Sequence, residues 1–242
     1  MRDRPTSLLL KPRGRWPRRF QPSPSRGGLG GDGVRPGPAE AILRQWSLRH
    51  AAALTLALPA LATAAPVTYR FDPVHSQVWF RTDHQGFSHP LGRVRIKDGW
   101  FQFDEQDWSA SRVDVEIDLS SVDMGDAKWN EMIQSGQLLD TARWPTARYT
   151  SRGVEKIDAK RGVIHGDLTL HGTTRPVDVA FTLNLIAPDP YAFKRKAGFS
   201  ASATLPRSAF GIKRYADVIG ENIQVLLEIE GLRDGSAAPK EP

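Results

Sequence analysis

Residues 111–120, SRVDVEIDLS, alternate without a break: Val113, Val115, Ile117 and Leu119 fall on one side of an extended chain, and Asp114, Glu116 and Asp118 on the other. A side-chain period of two belongs to a strand with one dry face and one wet face. The same period recurs along the chain. HSQVWFRT sets Val78 and Phe80 against Gln77, Trp79 and Arg81, and DGWFQFDE sets Phe101 and Phe103 against Trp100 and Gln102. VIHGDLTL aligns Ile164, Leu168 and Leu170, and PVDVAFTLNLI aligns Val177, Val179, Phe181, Leu183 and Leu185. AGFSASATL aligns Phe199, Ala201, Ala203 and Leu205, and NIQVLLEIEG aligns Ile223, Val225, Leu227 and Ile229. Roughly eight such strands joined by turn-like segments predict an all-β antiparallel barrel or sandwich.

One stretch breaks the period. In SVDMGDAKWNEMIQSGQLLD, Met124, Trp129, Met132, Ile133, Leu138 and Leu139 recur at spacings nearer three and four. That spacing predicts a short helical excursion with Asp123 or Asp126 as its N-cap and Gly136 as its breaker. Between strands, GDLTLHGTTRP predicts a turn at Gly172 and the two threonines, with Pro176 opening the next strand, where a missing N–H is tolerated.

The net charge of +6 would invite a polyanionic partner if it lay on the folded part. It does not. Residues 1–40 hold nine Lys or Arg against three acids, residues 41–64 add Arg44 and Arg49, and residues 65–242 carry 22 basic against 24 acidic side chains. The body is mildly acidic, Trp79 and Trp100 stand isolated on polar faces, and a nucleic-acid partner is not expected.

Arg44 and Arg49 precede the apolar run AAALTLALPALATA, whose Ala62-Thr63-Ala64 end reads as a signal-peptidase site. Residues 41–64 are therefore expected to be a signal peptide cleaved after Ala64, giving a periplasmic protein. Residues 1–40, rich in Pro, Gly and Arg, are expected to be a disordered extension or the product of a start codon placed too early. Residues 65–242 form the expected barrel domain. The chain has no cysteine, which excludes disulfides, thiol catalysis and cysteine-based metal sites.

No nucleophile elbow, phosphate loop or zinc-protease motif occurs, and no catalytic residue, metal or cofactor is assigned. His165 and His171 share the predicted wet face of their strand. His84 and His89 beside Asp83 are the one local histidine cluster, and their spacing matches no standard metal set. They carry the alternative reading, a small-substrate enzyme or a metal site. A second alternative is a structural, stress-related barrel with a filled core, because inward Ala201 and Ala203 can either leave space or pack beneath larger neighbours.

From about Tyr69 to Leu232 the chain resembles the YceI-like family of lipocalin-like periplasmic proteins. The resemblance rests on Asp72-Pro73-Val74-His75-Ser76 with Val78 and Phe80, Gly86-Phe87-Ser88, Phe103-Asp104, the run Gly166 to Val177, and Arg207-Ser208-Ala209-Phe210-Gly211. It implies an eight-stranded antiparallel lipocalin-like barrel with one short helical excursion, whose apolar lumen holds a polyisoprenoid or similar long-chain amphiphile without catalysis. Such a ligand needs apolar walls and few polar groups. The lumen candidates are Phe80, Phe101, Phe103, Val115, Ile117, Leu168, Leu170, Phe181, Phe199 and Phe210. A transient membrane or delivery partner, and a homodimer, are compatible with this reading. Two departures concern the head group. Asp83 stands where relatives carry a basic residue before the histidine, and Trp129 to Ser135 replaces a run rich in Arg and His. Both remove groups that would pair with a pyrophosphate.

Overall fold

The computed structural model describes residues 65–238; the expectations for residues 1–40 and 41–64 lie outside them. Nine β-segments follow in order: β1 (Val67–Phe71), β2 (Gln77–Arg81), β3 (Leu91–Phe103), β4 (Arg112–Asp123), β5 (Thr146–Lys156), β6 (Arg161–Leu170), β7 (Thr173–Asp189), β8 (Lys194–Pro206) and β9 (Asn222–Arg233). All pair antiparallel in one sheet, and the β3–β4 and β1–β9 pairings close it.

The nine segments occupy eight lanes, because β1 and β2 share one. Both pair with β3 on one side and β9 on the other. Between Phe71 and Gln77 this lane carries three more residues than the facing stretch of β9, Gly231 to Glu228. The surplus is taken up within the Asp72-Pro73-Val74-His75-Ser76 segment, which loops out while Ser76 Oγ donates to the Glu230 carbonyl at 3.0 Å. Among the described residues the fold is thus an eight-stranded closed antiparallel barrel with one α-helix, as the sequence led one to expect.

Closure depends on side-chain size as well as pairing. Gly92 lies opposite Phe80, and Gly162 opposite Phe181. A Cβ at Gly92 would collide with the Met124 sulfur and the Phe80 ring, and one at Gly162 would approach the Phe181 ring to 2.7 Å. The rings press against these glycines, where a methyl group would collide with them.

Helix α1 (Ala127–Gln134) occupies the β4–β5 connection. Of the two caps expected, Asp126 is the one used, its Oδ1 accepting the N–H groups of Lys128 and Trp129 at 3.0 and 3.2 Å. Just before it, β4 carries extra residues against β3 between the pairs Arg95–Asp118 and Arg93–Asp123. Ser121 Oγ fills the gap, donating to the Asp118 carbonyl and accepting from Arg95 N–H. Two 3-10 turns also occur, at Trp108–Ala110 and Arg207–Phe210.

Two expectations about β7 need correction. The turn after β6 consists of His171 and Gly172 alone, both at positive φ (51° and 72°), so the strand begins at Thr173 and Pro176 lies inside it. Pro176 is tolerated because β8 pairs with β7 only from Ala180 onward, which leaves residues 173–179 with one neighbouring strand. Leu185 does not continue the apolar face. The register shifts between Leu183 and Leu185, so Ile186 packs on the core while Leu185 turns outward, 66% exposed.

Candidate functional site

The inward faces of the strands enclose a cavity of about 350 Å³ with almost wholly apolar walls. All ten lumen candidates line it: Phe80 from β2, Phe101 and Phe103 from β3, Val115 and Ile117 from β4, Leu168 and Leu170 from β6, Phe181 from β7, Phe199 from β8, and Phe210 from the second 3-10 turn. Ala201 and Ala203 line it as well, and the room they leave is open space in place of a filled core.

The two ends are covered differently. At the end where β3 passes into β4, the 3-10 turn drives Trp108 inward until it is 3% exposed. Its ring sits 5.3 Å from Phe103 and 5.4 Å from Phe181, centroid to centroid, and Phe199 contacts both phenylalanines edge-on. Asp107 fixes the turn by accepting from Ser109 N–H and Oγ–H, and these bonds hold its carboxyl below the usual range. Tyr69 and Phe101 stack beside this plug at 5.0 Å.

At the opposite end the cavity is bounded by connections: Thr82 after β2, Ile133 of α1, Leu138 and Leu139 beyond it, and Ile212 and Ile219 before β9. Arg207 stitches this cover together. Buried without a carboxylate partner among the described residues, its guanidinium donates to the carbonyls of Gly220, Ile212, Arg214 and Ile219 at 2.8–3.1 Å. Four carbonyl dipoles carry the charge, so Arg207 has little left to offer a ligand. Tyr149 behaves alike: its hydroxyl lies 3.1 Å from the Ile164 and Val177 carbonyls, and burial pushes its pKa upward.

The histidines are dispersed. His84 bridges Ser88 and Ile219 through its backbone, and His89 Nε2 lies 3.7 Å from Asp83 Oδ1. His165, on the outer face, is held by Asp178 at 2.8 Å and Glu155 at 3.3 Å, both of which raise its pKa. His171 lies against Trp144, ring centroids 4.2 Å apart, with Nδ1 3.1 Å from the Phe210 carbonyl. It is a hairpin residue locked to the second 3-10 turn.

Among the described residues, the group with donor atoms close enough for one metal ion is Asp72, His75 and Glu230, outside the barrel at the lane interruption. His84 and His89 are not part of it. That group already has a cation: Lys196 Nζ lies 2.8 Å from Glu230, 2.7 Å from Asp189 and 3.9 Å from Asp72. The Asp189 bond, then that to Glu230, raises the Lys196 pKa and keeps the ammonium charged. Burial alone would raise Asp72, but the His75 ring and the N–H groups of Val74 and His75 outweigh it and hold the carboxyl low. The chemistry is that of an ion-pair brace between β7, β8, β9 and the loop.

The sequence pattern missed Trp108, Arg207 and this brace. A lone tryptophan in a polar turn has no periodicity to reveal it, and Arg207 stands in a family segment that attaches no role to it. The signal for Trp108 was the Asp107-Trp108-Ser109 order, an aspartate capping a turn that aims the residue between.

A YceI-like domain model matches residues 69–231. A UPF0312 protein of Pseudomonas aeruginosa is 37% identical over 185 residues, covering 76% of this chain and 96% of its own length. Protein YceI of Escherichia coli O157:H7 is 35% identical over 173 residues, covering 71% and 90%. Among solved structures, Burkholderia cenocepacia BcnA superposes with a TM-score of 0.57 at 19% identity, covering 66% of this chain and 98% of that one. A polyisoprenoid binding domain from Saccharophagus degradans gives 0.50 at 14% identity, covering 69% and 99%. From its strand order to these matches, the chain belongs to the YceI-like family.

Proposed function

We propose that this protein is an exported, non-enzymatic carrier that holds the hydrocarbon part of a polyisoprenoid or similar long-chain amphiphile in its lumen. The observation that carries this reading is the apolar cavity bounded by inward faces of every lane. The polyisoprenoid-binding domain of the same fold supports the ligand class. Burial of hydrocarbon at about 25 cal/mol per Å² supplies affinity without any reaction. The polar side chains that line the cavity are already engaged: Arg207 and Tyr149 by backbone carbonyls, Arg112 by the Ser109 and Ser111 carbonyls, Thr82 by the Gly220 carbonyl, Gln102 by Thr68 and Ser111 by the Asp104 N–H. With Asp83 and the Trp129–Ser135 run in place of basic groups, a neutral head, or one left in water, fits better than a pyrophosphate. Export rests on the leader pattern of residues 41–64, and N-terminal sequencing of periplasmic protein is expected to begin at Ala65.

The test is organic-solvent extraction of the purified protein followed by mass spectrometry. A long-chain apolar species in near-stoichiometric amount is expected. Repeated recovery of no lipid, together with no uptake of added prenols, would overturn the reading.

A further inference from the structure

Helix α1 is apolar over more of its surface than the fold covers. Met132, Trp129 and Ile133 lie on one stripe about 100° wide, since successive residues turn by about 100°. Ile133, at one edge, reaches the cavity. Trp129, in the middle, is 43% exposed, and Met132, at the other edge, 44%. No residue of α1 is fully buried. Beside the helix, the β2–β3 turn presents Phe87, 86% exposed. That turn is tied at its base, because His84 N–H donates to the Ser88 carbonyl and Phe87 N–H to the His84 carbonyl. The His84 ring lies 6.0 Å from that of Trp129, which places the helix stripe and Phe87 on one rim.

We propose that Phe87, Trp129 and Met132 form a docking surface for a lipid bilayer at the helix-covered end of the lumen. The rim is continuous, through Ile133 on the same stripe, with the apolar cavity wall, so a hydrocarbon chain crossing between bilayer and lumen there passes along apolar groups. The area argues for a bilayer over a protein partner. Three side chains, even fully covered, bury on the order of 500 Å², short of the roughly 800 Å² per partner that a standard protein interface takes. Shallow insertion of a few aromatic and thioether side chains into the headgroup boundary needs no larger patch. The far end of the barrel supplies a control: the β7–β8 hairpin carries Tyr191 and Phe193, each 92% exposed, at the same end as the Trp108 turn and opposite α1.

This proposal deepens the carrier reading and rests on it, but its test needs no ligand. The purified protein is mixed with phosphatidylcholine vesicles and floated on a density gradient. The wild type is expected to rise with the vesicles. The triple variant Phe87→Ser, Trp129→Ser, Met132→Ser is expected to bind at least tenfold more weakly with its melting temperature nearly unchanged. The double variant Tyr191→Ser, Phe193→Ser is expected to float like wild type. Because insertion is apolar, raising the salt should leave flotation in place. Wild-type protein that stays at the bottom, a triple variant that floats equally well, or flotation lost only in the hairpin variant would each overturn the proposal. A failed lipid extraction beside successful, rim-dependent flotation would sink the carrier reading alone.

Discussion

The two ends of the barrel close the same cavity by opposite means. At one, a single side chain, Trp108, is driven into an aromatic nest of Phe103, Phe181 and Phe199 by a turn whose aspartate cap fixes its direction. At the other, a one-cap helix and two connections lie across the opening, with Ile133 dipping in and Trp129 left half outside. The plug is part of the core. The helix is a cover none of whose residues is fully buried, and under the carrier reading a ligand enters there.

The comparison is broken most sharply at the plug. Trp108→Ala is expected to cost about 3–5 kcal/mol, the range for deleting a fully buried large aromatic, read as a lowered urea midpoint. A loss below about 1 kcal/mol would mean that the two ends are alike. At the cover, Ile133→Ala should cost only about 1 kcal/mol, because that side chain is only partly buried and faces the cavity. Asp126→Ala removes the N-cap and should cost about 1 kcal/mol as well, concentrated in the helix. Hydrogen exchange should then show the α1 amides opening faster while the strand amides keep their protection; slowed and global exchange alike would contradict a separable cover.

The smallest effect lies in the brace behind the plugged end. Lys196, then the N–H groups of Ala192 and Tyr191, hold the Asp189 carboxyl at about 2. A depressed folded pKa gives stability that is present above the unfolded value near 3.8 and lost as pH falls toward 2. Asp189→Asn should therefore flatten the decline in melting temperature between pH 4 and pH 2 without steepening it anywhere. Asp158 and Asp234, also held at about 2, keep part of that decline in the variant.

The lanes and the lumen wall were legible because each inward face repeats every second residue, and SRVDVEIDLS carries that phase through a whole strand. Legibility failed where the phase slips. The register shift after Leu183 reverses the next side chain, and nothing in Leu183-Asn184-Leu185 announces it. Pro176 was misplaced for a tertiary reason: whether a second strand runs beside β7 there depends on where β8 parts from β7, which happens beyond Ser202 while β8 stays paired with β9. The choice between filled core and open lumen was also beyond periodicity, since Ala201 and Ala203 face inward in both cases and only the placement of the rings around them leaves room. Trp108 and Arg207 act through turn geometry and carbonyl contacts, which have no period at all.

The central claim, that the lumen itself holds the ligand, is tested most directly by filling it. Ala201→Phe with Ala203→Phe places two rings in the open space, in line with Phe199 on the same face of β8. Equilibrium titration with a fluorescent long-chain prenol is predicted to give saturable binding by the wild type. The filled variant should bind at least tenfold more weakly while still melting cooperatively. Equal affinity of the two proteins would place the ligand outside the barrel and contradict the account.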